Sequence, residues 1–150
     1  MGTFAERVTI NAPKDVVWNV LADIGSIHQW NPGVVDSRAT TDGEVGLGSA
    51  RRCELGGKNY LDEEVVEWVP KKILTMRIVA TNLPFKTADI GFALESRGEQ
   101  TLVTVSPTYR LKFGLLGTLL DAVLVRSQYR KGMINLLRGL KQHLESRYAG

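Results

Sequence analysis

Cysteine is almost absent from this chain: Cys53 stands alone among 150 residues, so no intrachain disulfide is possible and no thiolate metal cluster can be assembled within one chain. Histidine is nearly as scarce. His28 and His143 are far apart, and two distant histidines do not make a metal site; neither a metal nor a cofactor is expected. The nucleophile elbow Gly-x-Ser-x-Gly, the zinc-binding His-Glu-x-x-His and the phosphate loop Gly-x-x-x-x-Gly-Lys-Ser/Thr are all missing. Hydrolase, metalloenzyme and nucleotide-binding readings therefore have no positive support. Gly46-Leu47-Gly48 lacks a third glycine and a following helix, and reads as a flexible connector. The longest uncharged apolar run, Phe113 to Leu120, is broken by Gly114 and Gly117 and falls far short of the roughly 20 residues that cross a bilayer. No integral membrane association is expected. Met1-Gly2-Thr3-Phe4-Ala5-Glu6-Arg7 lacks the basic, apolar, small-residue order of a secretion signal, so a cytoplasmic location is expected.

What remains is ordinary for one globular domain spanning 1–150, with 43% hydrophobic residues. The net charge of +3 is unevenly spread: Arg126, Arg130, Lys131, Arg138, Lys141 and Arg147 crowd the C-terminal segment with only Asp121 and Glu145 among them. Such a run suits nucleic acid or an anionic surface. The same segment carries an apolar stripe, however, and the expected reading is a solvated outer helix face with no nucleic-acid partner.

Residues 3–10 alternate in polarity as a strand does, and Asn11-Ala12-Pro13 hands over to a helix over 13–22 with Val16, Val17, Val20 and Leu21 at helical spacing. A second short helix over Ile24–Trp30 is stopped by Asn31-Pro32-Gly33. Short alternating runs follow, each closed by turn residues: 34–41, 49–55, 58–68, 73–80, 87–95 and 100–111, with Gly56-Gly57 as a two-residue hairpin signal. These six strands and the first make seven. After Gly117 the period returns to 3.6, with Leu120, Val123, Leu124, Ser127, Ile134, Leu137, Leu140 and Leu144 on one face of a single long helix. Gly132 and Gly139 lie inside it, at about 1 kcal/mol each relative to alanine.

The predicted class is α+β: a seven-stranded curved antiparallel sheet, two short helices after the first strand, and a long C-terminal helix. A sheet with one polar face must cover the other, and only the final helix is long enough. A roughly 30-residue helix spans ~45 Å, more than a typical strand, so the sheet must bend around it. Where the two diverge, an apolar cavity of the kind that holds small ligands is expected.

The order of elements and several strings resemble the helix-grip superfamily of START domains, plant Bet v 1-like allergens and bacterial polyketide cyclase/dehydrase-like proteins. The markers are Ile10-Asn11-Ala12-Pro13-Lys14-Asp15-Val16-Val17-Trp18, Trp30-Asn31-Pro32-Gly33, Glu67-Trp68-Val69-Pro70-Lys71-Lys72-Ile73 and Leu140-Lys141-Gln142-His143-Leu144-Glu145. The resemblance covers nearly the whole chain. It implies a pocket more firmly than a reaction, because the superfamily hosts several functions.

If Ile73 faces the helix, as the matching family position does, then Thr75, Arg77 and Val79 share that face. An inward Arg77 then needs an internal acid or an acidic or carbonyl-bearing ligand; a local twist or bulge would instead leave it in solvent. One parity of the strand over 58–68 groups Leu61, Glu63, Val65 and Glu67, the other Tyr60, Asp62, Glu64, Val66 and Trp68. Inward Val65 favours Glu63 as the partner of Arg77 or of a ligand, and a bulge would bring in Tyr60, as in Bet v 1-like relatives. His28 is either a general base near the pocket mouth or plain surface. His143 suits a helix C-terminus. Trp18 and Trp30 are core or pocket wall, and Cys53 is a small strand residue.

The expected cavity lining is thus Trp30, Tyr60, Glu63, Val65, Thr75, Arg77, Val103, Val105, Tyr109, Leu120, Val123 and Ser127, with Arg77, Glu63 and His28 as the catalytic candidates. Phe113 to Leu120 reads as a gate, a dimer contact, a membrane-touching edge or a buried helix start. The loop from Ala80 to Lys86 closes the other side of the mouth. Three functions fit: a carrier or sensor for a hydrophobic small molecule (lipid, aromatic or polyketide-like), a cofactor-independent cyclase or dehydratase, and a partner-binding or co-chaperone-like module. A homodimer is also compatible.

Overall fold

Pro107 explains why eight strands are found where alternation predicts seven. The structure, a computed structural model, describes residues 2–112, 114, 116, 119 and 124–148. Strands β1 (Gly2–Thr3) and β2 (Glu6–Ile10) both pair antiparallel with β8 (Gln100–Leu111), and in one register: Thr3 lies opposite Thr108 and Glu6 opposite Val105. Pro107 sits opposite the gap and has no N–H to offer the ladder. The expected first strand is therefore one strand, interrupted. Phe4 N still donates to the Pro107 carbonyl at 3.4 Å.

Helix α1 (Lys14–Ala22) and a 3-10 helix (Ile24–Gln29) follow, then β3 (Asp36–Ala39), β4 (Ala50–Gly56), β5 (Asn59–Val69), β6 (Ile73–Thr81), β7 (Phe85–Arg97) and β8. The antiparallel order is β1-β8-β7-β6-β5-β4-β3, with β2 also on β8. The Pro70-Lys71-Lys72 turn needs a left-handed residue, and Lys71 takes it at φ 65°. The β5–β6 ladder slips twice, between Asp62 and Glu63 and between Val65 and Glu67. Each slip inserts an unpaired residue and bends the strands, which is how the sheet curves.

The C-terminal helix (Arg126–Tyr148) crosses the concave face. Its buried stripe is Met133, Leu136, Leu137, Leu140 and Leu144. Leu124 and Ile134, expected on that stripe, are exposed, and so is Ser127. The phase is set by an aromatic cluster that leucine counting overlooked: Tyr129 packs on Phe4, Phe85 and Tyr109 with ring centroids 5.5, 5.5 and 5.1 Å apart. Aromatic pairs bury more area than a leucine and add edge-to-face attraction.

Lys131, Arg138 and Arg147 lie on the exposed face as expected, while Arg126, Arg130 and Lys141 are tied to the first strand. Arg126 donates to the Thr3 carbonyl at 2.6 Å, Arg130 pairs with Glu6 at 2.8 Å, and Lys141 donates to the Thr9 carbonyl at 2.8 Å. Glu145 accepts from Asn11 N at 2.8 Å. These ties follow chain order, so helix and strand run alongside each other. No described helix is long and apolar enough to cross a membrane.

Candidate functional site

Strand parity decides what reaches the interior. On β6 the buried residues are Leu74 and Met76, and Ile78 continues inward; Ile73, Thr75, Arg77 and Val79 point the other way. The expectation of an inward Arg77 is therefore overturned. The set Leu74-Met76-Ile78 is uniformly apolar, and burying it leaves no guanidinium to compensate. Arg77 instead forms a bidentate pair with Asp89 on β7, at 2.9 and 3.0 Å, with 55% of its side chain exposed. The pair across two strands holds the Arg77 guanidinium charged even more firmly than usual. Thr75 lies on the same outer face and donates to Glu67 at 2.8 Å.

On β5, Glu63 and Val65 face inward, and Tyr60 faces outward beneath the Arg52 guanidinium, 3.9 Å from the ring centroid. Glu63 is buried, and its partner comes from the neighbouring strand. Arg51 on β4 lies directly opposite Glu63, and its Nε donates to Glu63 Oε1 at 3.0 Å, with both side chains nearly sealed at 6% and 2% exposure. Arg51 Nη1 donates to the Ile24 carbonyl at 3.1 Å, tying the pair to the 3-10 helix. Cys53, two residues on, donates weakly to the same carboxylate oxygen at 3.6 Å. Burial pushes the Cys53 thiol up to about 12; the Arg51 charge pulls the other way, and the Glu63 charge and hydrogen bond add to the rise. It is a packed thiol, not a nucleophile.

This ion pair stands in the wall of a cavity of about 440 Å³ between sheet and C-terminal helix. Most of the wall is apolar, including Leu61, Ile78, Phe85, Ile90, Phe92 and Leu136. Leu83 and Pro84, from the loop between β6 and β7, also line it. From the helix come Gln128, Tyr129, Gly132 and Met133, and from just before it Val125. Gly132 is an exposed member of this wall, and a Cβ built on it would meet nothing within 4 Å. Tyr129 Oη is buried with no partner among the described residues. Burial first, then the nearby charge of Glu63, pushes its pKa well above the usual phenol value, so it stays a donor at neutral pH.

The remaining expected residues separate. Val65, Val103, Val105 and Tyr109 are buried core rather than cavity lining, and Ser127 is exposed. Leu120 and Val123 lie outside the described residues. His28 and Trp30 line a different cleft, beside Asn135, Arg138 and Gln142 of the helix. There Ser37 Oγ donates to the Gly25 carbonyl at 2.7 Å and contacts His28 Nδ1 at 2.6 Å. A hydroxyl has one proton, so Nδ1 must carry its own; His28 is fixed in a structural bond. Among the described residues no cluster of three or more His, Cys, Asp or Glu could hold a metal.

Arg51 is the functional candidate that sequence reasoning missed. The signal was present: Cys53 and Leu55 alternate inward with it. A two-residue Gly56-Gly57 turn, though, would have set Arg51 opposite Asp62. The observed turn lies between Gly56 and Asn59, with a further slip between Glu54 and Gly56, and this moves Arg51 onto Glu63.

The family model described as polyketide cyclase / dehydrase and lipid transport matches residues 1–145. The chain belongs to this family. Solved structures agree on the helix-grip fold. A protein from Thermus thermophilus superposes with a TM-score of 0.81 at 20% identity, over 98% of this chain and 99% of its own. A START superfamily protein from Mycobacterium smegmatis gives 0.76 at 16%, over 95% and 98%. The major latex-like protein 151 of Panax ginseng gives 0.75 at 20%, over 95% and 96%. No curated protein matches the sequence. At these identities the likeness concerns fold.

Proposed function

We propose that this family member is a cytoplasmic, single-domain carrier or sensor that encloses a hydrophobic small molecule between the sheet and the C-terminal helix. The observation that carries the reading is the largely apolar cavity of about 440 Å³, with Gly132 in its wall. Apolar surface transferred into such a space stabilises a complex by roughly 25 cal/mol per Å², before the cost of immobilising the ligand. A folded protein does not retain an unfilled apolar volume without loss of dispersion contacts, so an occupant also stabilises the fold.

The cyclase or dehydratase reading is weaker. Of its three candidate groups, only Glu63 lines this cavity, and it is already engaged by Arg51. Arg77 is on the outer surface and His28 belongs to another cleft. Native mass spectrometry of the purified protein tests the proposal: a co-purified small molecule, lost on mild unfolding, is expected. Titration with the neutral probe N-phenyl-1-naphthylamine complements it. Absence of both a bound molecule and a saturable probe site would sink the reading.

A further inference from the structure

The polar end of the cavity has a definite charge balance, and that balance selects a head group. Arg51 and Glu63 cancel one another. Yet the pair is not closed on itself: Glu63 Oε2 and Arg51 Nη2 make no hydrogen bond to the described residues, while Oε1, Nε and Nη1 are used. Tyr129 Oη, buried in the same wall, is likewise unpartnered among the described residues. One acceptor and two donors thus meet at one part of a largely apolar wall, whose other polar side chains are the amides of Asn31 and Gln128.

Resting on the binding reading above, we infer that the cavity takes ligands ending in a neutral hydroxyl group, an alcohol, phenol or enol, and discriminates against carboxylates of the same shape. A hydroxyl is both donor and acceptor. It can donate to the free Glu63 oxygen and accept from Arg51 or Tyr129, so polar atoms on both sides of the head group are satisfied at once. A carboxylate has nothing to donate, and it would bring a second negative charge beside Glu63 in a low-dielectric site. A pure hydrocarbon would leave all these groups unpaired, the penalty that makes hydrogen-bonding pockets reject analogues lacking the polar atom. Specificity therefore resides in the Arg51–Glu63 pair and Tyr129, with the apolar wall supplying affinity.

The test uses three ligands with one ring system, 2-naphthol, 2-naphthoate and naphthalene, titrated calorimetrically into the full chain at pH 7. Naphthol is expected to bind about tenfold or more tighter than either of the others, the size of one hydrogen bond to a charged group. Glu63→Gln leaves Arg51 uncompensated and should turn the preference toward naphthoate. Tyr129→Phe should weaken naphthol severalfold and leave naphthalene unchanged; it keeps the ion pair, so it serves if Glu63→Gln does not fold. Naphthoate or naphthalene binding the wild-type protein as tightly as naphthol overturns the head-group inference and leaves the binding reading intact. Failure of all three, together with the neutral probe, overturns the binding reading itself.

Discussion

Gly132 and Gly139 lie about two turns apart on the same helix and meet opposite surroundings. At Gly139 a Cβ would collide with the Trp30 carbonyl oxygen and come within 3.0 Å of Pro32 Cδ; at Gly132 it would meet nothing. Gly139 marks a point of direct contact, where the helix and the Trp30-Asn31-Pro32 backbone touch in the wall of the His28–Trp30 cleft. Gly132 marks an end where the helix stands over a void with an ion pair in its wall. The same residue type thus serves contact at one end and open space at the other. Helix propensity treats them alike, and only the neighbours tell them apart.

The contrast can be broken or sharpened by substitution. The largest effect is expected at the hollow end, where Arg51→Met strands a buried carboxylate: a loss of about 3–5 kcal/mol in urea unfolding, most of it recovered in the double variant Arg51→Met/Glu63→Leu. If the single and double variants are equally unstable, the pair is not the buried unit described. Next come the two glycines. Gly139→Ala forces backbone apart and should lower stability by about 2–3 kcal/mol, whereas Gly132→Ala should raise it by up to about 1 kcal/mol. Equal effects at the two glycines would erase the distinction between the ends.

The smallest effect concerns pH. Lys141 and the Asn11 N–H hold the Glu145 carboxyl below the ordinary carboxylate range. A depressed folded-state pKa contributes stability that is fully present above the unfolded value, near about 4.3, and is lost as pH falls through the folded one. The group is on the surface, so only a few tenths of a kcal/mol are expected, visible as a slightly shallower acid limb in Glu145→Gln.

How much of this was legible follows from where periodicity was unambiguous. The strand-helix-helix opening, the run of antiparallel strands and the closing helix all rest on strong alternation or 3.6-residue spacing, and the family strings supported them. On β8, Val103, Val105 and Tyr109 face inward as parity requires. Failures cluster where one residue changes the phase. On β6 both parities begin with an apolar residue, and choosing Ile73 turned Arg77 inward when Leu74, Met76 and Ile78 were the buried set. At the β4–β5 hairpin a single slip decides whether Arg51 meets Asp62 or Glu63, and a period of two cannot register it. Glu63 was recognised because its inward neighbour Val65 fixes its parity; Arg51 was not, because its partner depends on the turn.

The most direct test of the central claim is the affinity of N-phenyl-1-naphthylamine for Gly132→Phe, measured beside its unfolding midpoint. A cavity at this end predicts a folded variant with near wild-type stability and at least about tenfold weaker probe binding, since the ring occupies the void. Unchanged affinity in a folded Gly132→Phe protein would contradict it.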